Sequence, residues 1–465
     1  MTILVLTTEP PPLPGFATTG AGLRAWGLTF GLRASGLEHV VLGYAADSTR
    51  GTKPQSTVLG VESFERGRLA EFIEKQNPSA VVLQHWGLGS VLPKLNCPLA
   101  IDLAGPHLLE RALWGSGNQQ QDRQEKIQTL SRADYVVCSG QFQRHYFLPY
   151  LLEAGFQVRP ELCPVIPFSV SPSLPPQPKD RDLGSFIQSG FFLPWQNPTN
   201  PLRWTLAMLE EKEKGRLRII GGAHPSGDVS KGQYDELLGE LEKHDRVSLE
   251  NVLPFDELVG VLTKSGVALD LFPRNLEREL AFPTRTIVYL WAGLPVIHNH
   301  YDELAPIIEA SKCGWTVDPD DQEGLNKILR RIISHPTDLL KRGEAARELV
   351  REQFTWDKTT KPLAQWCKAP AYRKDKPEVP SEVRLTGPKY LSDQLETNVS
   401  PKPKAPQKDA FQGGEINYSP PTPDDNPPLI RQAGAVVVAI LAFLAALVLL
   451  LIFAIQEFFK RLVRK

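Results

Sequence analysis

The sequence predicts an α/β protein with two doubly wound domains in tandem, and three observations lead to this prediction. Near-continuous aliphatic and β-branched runs alternate with helix-length amphipathic stretches, as in parallel sheets covered by helices on both faces. Six such runs precede a proline-rich join at residues 171–180, and six follow it. The length of 465 residues also suits two or three domains of ordinary size.

The individual elements follow from these runs. In the first half the predicted strands are residues 3–8, 39–44, 80–85, 99–103, 135–139 and 164–168. In the second half they are residues 185–190, 216–222, 247–252, 267–272, 294–299 and 314–318. We place the N-terminal domain at 1–170 and the C-terminal domain at 184–345. Parallel sheets bind ligands at the carboxyl ends of their strands, so the cleft between the domains is the expected site.

Composition and charge exclude several classes of function. The 52 Lys and Arg residues are balanced by 53 Asp and Glu residues, whereas a protein that binds nucleic acid normally shows a basic excess. The five cysteines are scattered and form no CxxC pair, which argues against a disulfide framework or a structural zinc site. Free cysteines are typical of a reducing compartment.

The C-terminal hundred residues or so differ from the rest of the chain. Residues 369–431 are rich in proline and poor in large apolar side chains, which predicts a disordered tether. A PxxP motif at 403–406 also allows an SH3-ligand interpretation. Residues 433–455 contain 23 positions without a charge, enough for a transmembrane helix, although a buried core helix is the alternative. A basic tail, residues 456–465, follows.

The apolar segment also carries small residues on one face, which makes oligomerisation through that helix possible. These residues are Ala435, Ala439, Ala442 and Ala446. The N-terminal MTILVL has no basic region and is too short for the apolar part of a signal peptide, so none is expected.

Glycines follow the first predicted strand. Gly15, Gly20 and Gly22 precede a helix predicted from Leu23, and such a loop lets backbone N–H groups approach a phosphate or a sugar. The loop is neither a GxGxxG fingerprint nor a Walker motif. Arg24, one turn into the helix, is a candidate partner for a ligand carboxylate or phosphate, with a surface arginine as the alternative.

A carboxylate ends the predicted strand LAIDL. Asp102 lies where parallel strands bind ligands, and His107 and Glu110 follow it. A carboxylate or an imidazole at this place can act as a base or hold a sugar hydroxyl. Capping of the next helix is the alternative for Asp102.

In the second half, polar residues cluster at two strand ends. His224 follows the glycines of IIGG, where a nucleotide can approach closely. Arg285 lies near the start of a hydrophobic helix and is therefore a strong candidate for binding an anion. The helix should end at Gly293, before Pro295. The other polar residues just before or at the start of this helix are Glu277, Glu279 and Thr284.

The run AFPTRTIVYLWAGLPVI, with the following HYDELAPIIEASKCGWTVDPDD, resembles the C-terminal domain of glycosyltransferase family 4 and related enzymes with two Rossmann-like domains (GT-B). It is most similar to a bacterial subgroup with the pattern E-x-x-x-S-F-R-T-R-x-x-D-Y-L-W-A-G-L-P. AGLRAWGLTFGL, CPLAIDLAGPHLLE and ADYVVCSGQFQRHYF resemble N-terminal segments of that family. FTWDKTTKPLAQW, within residues 346–368, resembles its closing helix, which returns to the N-terminal domain. The likeness covers residues 1–368.

The resemblance implies a nucleotide-diphospho-sugar as donor substrate, with no other cofactor and no metal. It implies catalytic roles for Asp102, Arg285 and Glu277, with Arg285 stabilising the leaving phosphate. Retention of the anomeric configuration is also an implication of the family alone. The implied donor-binding residues are Gly20, Gly22, Arg24, His224, Glu279 and Thr284.

The chain departs from the family pattern at several positions. Val288 replaces the acidic residue that binds the nucleotide ribose, and Pro283 replaces an arginine of the subgroup. Trp195, Gln196 and Asn197 stand where the family has a basic pair. A catalytically degenerate GT-B scaffold that binds a sugar nucleotide or partner proteins is therefore an alternative. A sugar-nucleotide epimerase is a third, and it would need further acidic residues in the cleft.

These features lead to one functional hypothesis. The chain is expected to be a membrane-tethered glycosyltransferase in cell-envelope polysaccharide or glycolipid synthesis, with a lipid-linked or polysaccharide acceptor. We expect it in the bacterial inner membrane, held by a single span, with its catalytic domains in the cytoplasm, where nucleotide sugars are made. Four basic residues after the span favour the opposite orientation by the positive-inside rule.

Overall fold

The computed structural model describes residues 1–49, 54, 56–115, 117–222 and 232–377. Within these residues the chain forms two six-stranded sheets, and every strand pair in them is parallel. The first sheet contains β1 (Thr2–Thr7), β2 (His39–Ala45), β3 (Val61–Phe64), β4 (Ala80–Gln84), β5 (Leu99–Leu103) and β6 (Tyr135–Cys138). The second contains β7 (Ser185–Phe191), β8 (Arg216–Gly222), β9 (Val247–Glu250), β10 (Val267–Asp270), β11 (Val296–Asn299) and β12 (Gly314–Val317).

The helices cover both sheets. In the first half they are α1 (Gly20–Ala34), α2 (Leu69–Gln76), α3 (His107–Trp114), α4 (Gln119–Ser131) and α5 (Gln141–Glu153). In the second half they are α6 (Thr199–Glu211), α7 (Asp235–Leu241), α8 (Phe255–Lys264), α9 (Leu276–Leu280), α10 (Thr284–Trp291), α11 (Ala305–Ser311), α12 (Gln322–Ser334) and α13 (Asp338–Gln353). Two short helices, α14 (Trp356–Thr359) and α15 (Lys361–Lys368), end the described fold.

Both sheets have the same topology. The strand order is β3-β2-β1-β4-β5-β6 in the first sheet and β12-β11-β10-β7-β8-β9 in the second. In each sheet the first strand in sequence lies beside the fourth, so the chain winds outward in opposite directions from that point. A crevice opens at the carboxyl ends of the strands where this reversal occurs, and doubly wound sheets bind ligands there. The predicted pair of doubly wound sheets is confirmed.

One predicted strand is wrong and another was missed. Residues 164–168 form only an isolated bridge between Val165 and Cys138, because Pro164 and Pro167 lack the N–H groups that a ladder needs. The sixth strand of the first sheet is β3 at its edge. Its sequence, VESF, is too short and too polar to stand out as an apolar run.

Alternation along the strands explains why helices cover both faces. In β1, Leu4 and Leu6 pack into one apolar cluster, whereas Ile3 and Val5 pack into another on the opposite face. All four side chains are fully buried. A strand that is apolar at every position therefore has two cores to fill, one under each layer of helices.

The end of the described chain packs against the N-terminal domain. Trp356 of α14 lies against Phe30 of α1, with ring centroids 5.5 Å apart, and Trp366 of α15 stacks on Tyr135 at 5.3 Å. Beyond α15, Lys376 pairs with Asp134 at 2.8 Å. Helices α14 and α15 thus lie on the first domain, although they follow the second in sequence.

In the part of the chain that the structure describes, no helix is long and apolar enough to cross a membrane. The predicted tether at 369–431 lies mostly beyond these residues. The predicted transmembrane helix at 433–455 and the basic tail at 456–465 lie wholly beyond them. These three assignments therefore stay predictions.

Candidate functional site

Two helix N-termini meet between the two domains. Helix α1 begins at Gly20, three residues earlier than predicted, and Thr19 caps it by accepting the N–H of Gly22 at 3.0 Å. Helix α10 begins at Thr284. A Cβ atom on Gly20 would lie only 2.9 Å from the Thr284 hydroxyl, so the two termini are in contact. Because the N-terminus of a helix is electropositive, this junction favours a negatively charged ligand.

Gly22 has a packing role within α1. A Cβ atom at this position would lie 2.0 Å from the carbonyl oxygen of Pro10, in the proline-rich loop after β1. The loop can therefore close over the first turn of α1 only if residue 22 is glycine. The structure brings Gly20, and not Gly22, to the surface between the domains.

Arg285 lies beside this junction, at the carboxyl ends of β7 and β10. Its guanidinium donates to Gln196 Oε1 at 3.1 Å and lies 3.5 Å from Asp270. A Cβ atom on Gly190 would come within 2.6 Å of that guanidinium, so the glycine makes room for it. The Arg285 side chain is 20% exposed, so part of it faces open space rather than the core.

Asp270 is the buried counter-ion of Arg285. Burial alone would raise the pKa of its carboxyl, but His298, Arg285 and Thr286 together hold that pKa below its ordinary value. Asp270 is therefore ionised at neutral pH. It ends β10, one of the two strands at the topological reversal of the second sheet.

Glu277 is buried and already paired. Its side chain is 1% exposed and accepts two hydrogen bonds from Arg278, at 2.5 and 2.7 Å. Burial raises the pKa of Glu277 and the charge of Glu110, from the N-terminal domain, adds to the rise, whereas Arg278 opposes it. Glu279 instead pairs with Arg274 at the surface, 2.7 Å away.

Arg24 and Asp102 are buried and pair with each other. The Arg24 side chain is 3% exposed and Asp102 is fully buried, and the two form a double hydrogen bond at 2.8 and 3.0 Å. Arg24 also donates to the carbonyls of Ile166 and Pro167, at 2.5 and 2.9 Å. All of these contacts are with other residues of the protein interior. Through them the Arg24–Asp102 pair joins α1 to β5 and to the chain after β6. Asp102 does not cap the following helix either.

His85 was not among the predicted site residues, because it is the last position of the strand predicted at residues 80–85. It follows β4 with φ +73°, a conformation that costs a non-glycine residue free energy and is often found at functional sites. Its Nδ1 accepts the N–H of Gly87 at 3.0 Å, so in the neutral ring Nε2 carries the proton. Among the described residues that buried Nε2 has no partner. The signal in the sequence was a histidine directly after a buried central strand.

His107 and Glu110 adjoin His85. The two imidazole rings lie 4.3 Å apart, and His107 Nδ1 lies 2.8 Å from Glu110. Burial lowers the pKa of His85 well below its ordinary value, and the positive charges of His107, Lys126 and Arg111 lower it further. His85 is therefore neutral at pH 7 and offers one hydrogen-bond donor at the carboxyl edge of the first sheet.

Two further contacts join the domains near the site. The N–H of Phe255 donates to the carbonyl of Phe16 at 3.0 Å, which ties the loop after β1 to the start of α8. The carboxylate of Glu303 accepts the N–H of Phe142 at 3.1 Å, in the first turn of α5. His224 lies outside the described residues. Within the described ranges, no three or more His, Cys, Asp or Glu side chains are grouped to hold a metal ion.

Comparison with known proteins agrees with this architecture. No protein-family model matches the chain. A curated relative, the MMP alpha-(1->4)-mannosyltransferase of Mycolicibacterium hassiacum, is 25% identical over 204 residues, which are 43% of this chain and 47% of the relative. The match therefore spans about half the length of that relative.

Solved structures show a similar fold over most of the chain. Sucrose-phosphate synthase from Thermosynechococcus elongatus has a TM-score of 0.59 at 15% identity, covering 79% of this chain and 98% of its own. Trehalose-6-phosphate synthase OtsA has a TM-score of 0.58 at 11% identity, covering 80% and 100%. An alpha-glucosyltransferase in complex with UDP-glucose and DNA has a TM-score of 0.57 at 10% identity, covering 79% and 99%. The chain thus has a GT-B-like fold of two Rossmann-like domains.

Proposed function

We propose that this protein is a glycosyltransferase that transfers a sugar from a nucleotide-diphospho-sugar to an acceptor hydroxyl. The observation that carries the proposal is the junction of the α1 and α10 N-termini, at Gly20 and Thr284, with Arg285 beside it. The mannosyltransferase named among the relatives supports it. So do the solved complexes of the similar alpha-glucosyltransferase, which contain UDP-glucose or UDP.

The donor diphosphate would bind at this junction. Loss of the nucleoside diphosphate builds negative charge on the leaving phosphate, and Arg285 with the two helix termini stabilises that charge. The Arg285 guanidinium and the helix termini are held in place before the reaction, so they need little reorganisation as the negative charge develops. Thr284, the first residue of α10, adds its hydroxyl, whereas its backbone N–H already donates to the carbonyl of Phe282 at 2.9 Å.

The acceptor would lie on the side of the N-terminal domain. His85 Nε2–H is a fixed donor without a partner in the described chain, and it can hold a sugar hydroxyl. The His107 and Glu110 side chains are 35% and 23% exposed, so they are open to an acceptor. A carboxylate bonded to an imidazole can accept a proton from an attacking hydroxyl.

The test begins with calorimetry on the full-length protein, using UDP, GDP and ADP as ligands. Nucleoside diphosphate release from a panel of sugar nucleotides follows. Arg285→Ala should weaken diphosphate binding about tenfold or more, since a hydrogen bond to a charged group contributes about 1.5–3 kcal/mol. Arg330→Ala is the control, because this exposed arginine of α12 pairs with the exposed Glu323 of the same helix. Binding of none of the three nucleotides, with no release from any donor, would overturn the proposal.

A catalytically inactive GT-B scaffold is the second candidate, and Val288 favours it. This side chain is 6% exposed and apolar where the resembled family has an acidic residue that binds the ribose. Gln196 occupies part of the position of the family's basic pair and contacts Arg285. A scaffold would bind a nucleoside diphosphate and release none from any sugar nucleotide. An epimerase would convert the sugar nucleotide without consuming an acceptor.

For the biological setting, we retain the hypothesis of an enzyme of cell-envelope polysaccharide or glycolipid synthesis at the bacterial inner membrane. Its support is the apolar segment at 433–455, which would bring the site near a lipid-linked acceptor. The panel of sugar nucleotides described above would identify the nucleotide and the sugar of the donor.

A further inference from the structure

A chain of buried polar contacts runs from the start of α11 to Arg285. Asp270 and His298 are register partners on β10 and β11, so the two side chains point to the same side of the sheet. Thr286, in the first turn of α10, contacts both of them. Asp302 contacts the far nitrogen of His298 at 2.8 Å and accepts the N–H of Leu304 at 3.0 Å.

The hydrogen-bond directions show that both nitrogens of His298 carry protons. Nε2 faces the Asp302 carboxylate and therefore donates. The Thr286 hydroxyl has a single proton, which it donates to Asp270 Oδ2. Thr286 Oγ1 must then accept from His298 Nδ1, 3.2 Å away. His298 is an imidazolium between two carboxylates.

Electrostatics agrees with this assignment. The His298 side chain is fully buried, and those of Asp270 and Asp302 are 5% and 4% exposed. Burial opposes the charge on His298, yet the two carboxylates raise its pKa to about 10. With Arg285 included, the group holds two negative and two positive charges and is neutral overall.

Arg285 is the loosely held member of this group. Its nearest contact with Asp270 is 3.5 Å, longer than the usual 2.7–2.9 Å of a charge-assisted hydrogen bond. In the N-terminal domain, by contrast, Arg24 contacts Asp102 at 2.8 Å and is almost fully buried. Asp270 accepts the Thr286 hydroxyl and lies 3.7 Å from His298 Nδ1, so a second cation compensates its charge and no tight contact holds Arg285 to it.

We propose that His298, held by Asp302, is a positioning residue for Arg285. It supplies the positive charge that Asp270 requires, so that Arg285 can bind the diphosphate of a ligand without leaving a buried carboxylate uncompensated. This inference rests on the proposed function and extends it by assigning the residues that set the charge of the donor site. Removal of one partner from a buried pair is costly because the other charge stays behind.

The test is calorimetry on the full-length protein with UDP, GDP and ADP, with thermal unfolding measured in parallel. His298→Gln leaves the site with one excess negative charge and Arg285 as the only cation beside Asp270. Affinity for the nucleotide that the wild type binds should fall about tenfold, equal to about 1.4 kcal/mol. His300→Gln, at an exposed neighbour outside the network, should bind like the wild type.

The double variant Asp270→Asn/His298→Gln separates charge from packing. It removes the carboxylate that His298 compensates, so affinity should recover to within about threefold of the wild type. Asp302→Asn keeps the imidazole and the cap of α11, and it should weaken binding in the same direction, by less. This variant also carries the test if His298→Gln fails to fold.

The outcomes separate the two proposals. If the wild type binds a nucleoside diphosphate and His298→Gln binds it equally, the positioning role is wrong and the proposed function stands. If the double variant shows no recovery, His298 acts through packing and the inference is overturned. If the wild type binds none of UDP, GDP and ADP, the diphosphate site is wrong and this inference falls with it.

Discussion

At the scale of single residues, Arg24 and Arg285 show how environment decides between a structural and a ligand-binding role. Both follow glycine- or proline-containing turns, and both lie in the first turns of helices that start at the cleft. Arg24 is saturated by one carboxylate and two carbonyls, whereas Arg285 keeps an exposed fraction of 20%. Spacing in the sequence does not distinguish them.

Arg24→Ala should destabilise the fold and leave nucleotide chemistry untouched where the protein still folds. It leaves Asp102 buried without its partner, which costs about 3–5 kcal/mol in comparable pairs. Thermal and denaturant unfolding measure this loss. A variant with wild-type stability and lost diphosphate binding would restore the ligand-binding role predicted for Arg24.

Because Lys126 is buried, the free energy of unfolding should increase as the pH rises from neutral. Its ammonium is fully buried against the rings of Tyr146, Phe147 and Tyr150, and it has no hydrogen-bond partner among the described residues. Burial lowers its pKa from 10.5 to about 7. Between these values the unfolded chain binds the proton and the folded chain does not, so stability increases with pH.

Lys126→Met should therefore stabilise the fold on the order of 1–3 kcal/mol near pH 7, because the aromatic rings offset part of the cost of the buried charge. The gain should shrink as pH rises towards 10.5, where both states of the wild type lose the proton. Denaturant unfolding at pH 7 and pH 10 measures it. If Lys126→Met raises the free energy of unfolding by the same amount at pH 7 and pH 10, the buried ammonium of Lys126 does not destabilise the wild type.

Val288→Glu should lower the stability of the fold, and it tests whether position 288 faces the ribose of a bound nucleotide. The side chain is 6% exposed within the apolar cluster around α10, so a carboxylate there costs about 1–3 kcal/mol unless a ligand partner reaches it. If the position faces the ribose, as the resemblance implies, nucleotide binding should tighten and the loss of stability should shrink with nucleotide present. Calorimetry and unfolding with and without UDP or GDP check both. Weaker binding would show that an apolar group is required.

At the scale of elements, helix termini contribute two of the contacts between the domains. The α1 and α10 termini touch at Gly20 and Thr284, and the α5 terminus binds the Glu303 carboxylate of the C-terminal domain. Burial raises the pKa of Glu303, and the N–H groups of Phe142 and Gln141 oppose the rise. The contact pairs a carboxylate with a positive helix end, which stabilises it.

Glu303→Gln should weaken this contact between the domains. The amide keeps an acceptor oxygen and loses the charge, so we expect a loss of about 0.3–1 kcal/mol. Small-angle scattering of the nucleotide-free protein should show a larger radius of gyration than the wild type. Glu309→Gln, a surface substitution on the next helix, is the control. Identical scattering in all three proteins would mean that Glu303 does not hold the domains together.

At the scale of the whole molecule, the described chain ends far from the site. Asp134 precedes β6 and accepts the N–H of Leu99 at the start of β5, so it lies at the amino ends of the strands. Arg373 and Lys376 bind this carboxylate, and Pro377 contacts Gly155 nearby. The proposed ligand site lies at the opposite, carboxyl edge of the same sheet.

The membrane anchor is predicted from the sequence, and its test is cellular. We expect the full-length protein in the membrane fraction after a salt wash, and a truncation at about residue 368 in the soluble fraction, because residues 433–455 are long enough to span a bilayer. Protease added to intact spheroplasts should leave the globular domains uncut. Digestion from outside would reverse the predicted orientation, and a truncation that stays in the membrane would refute the anchor.

Local patterns in the sequence were sufficient to predict the class of fold and most of its strands. Hydrophobic periodicity, apolar runs and glycine or proline at helix ends are local properties. They predicted the paired α/β domains and the end of α10, which stops at Trp291, two residues before Gly293 with its φ of +73°. The same reasoning missed β3 and placed a strand at 164–168, because pairing at a sheet edge depends on neighbours and not on apolar content.

Tertiary structure decided which polar residues pair with one another. Asp102 and Arg24 are 78 positions apart, yet they satisfy each other, which withdraws both from the cleft. His85 was hidden at the end of a predicted strand until its backbone conformation and unpartnered nitrogen were visible. The charge on His298 depends on Asp270, Asp302 and Thr286, which three different elements bring together. Burial and pairing set the charge of a side chain, and both arise only when distant segments meet.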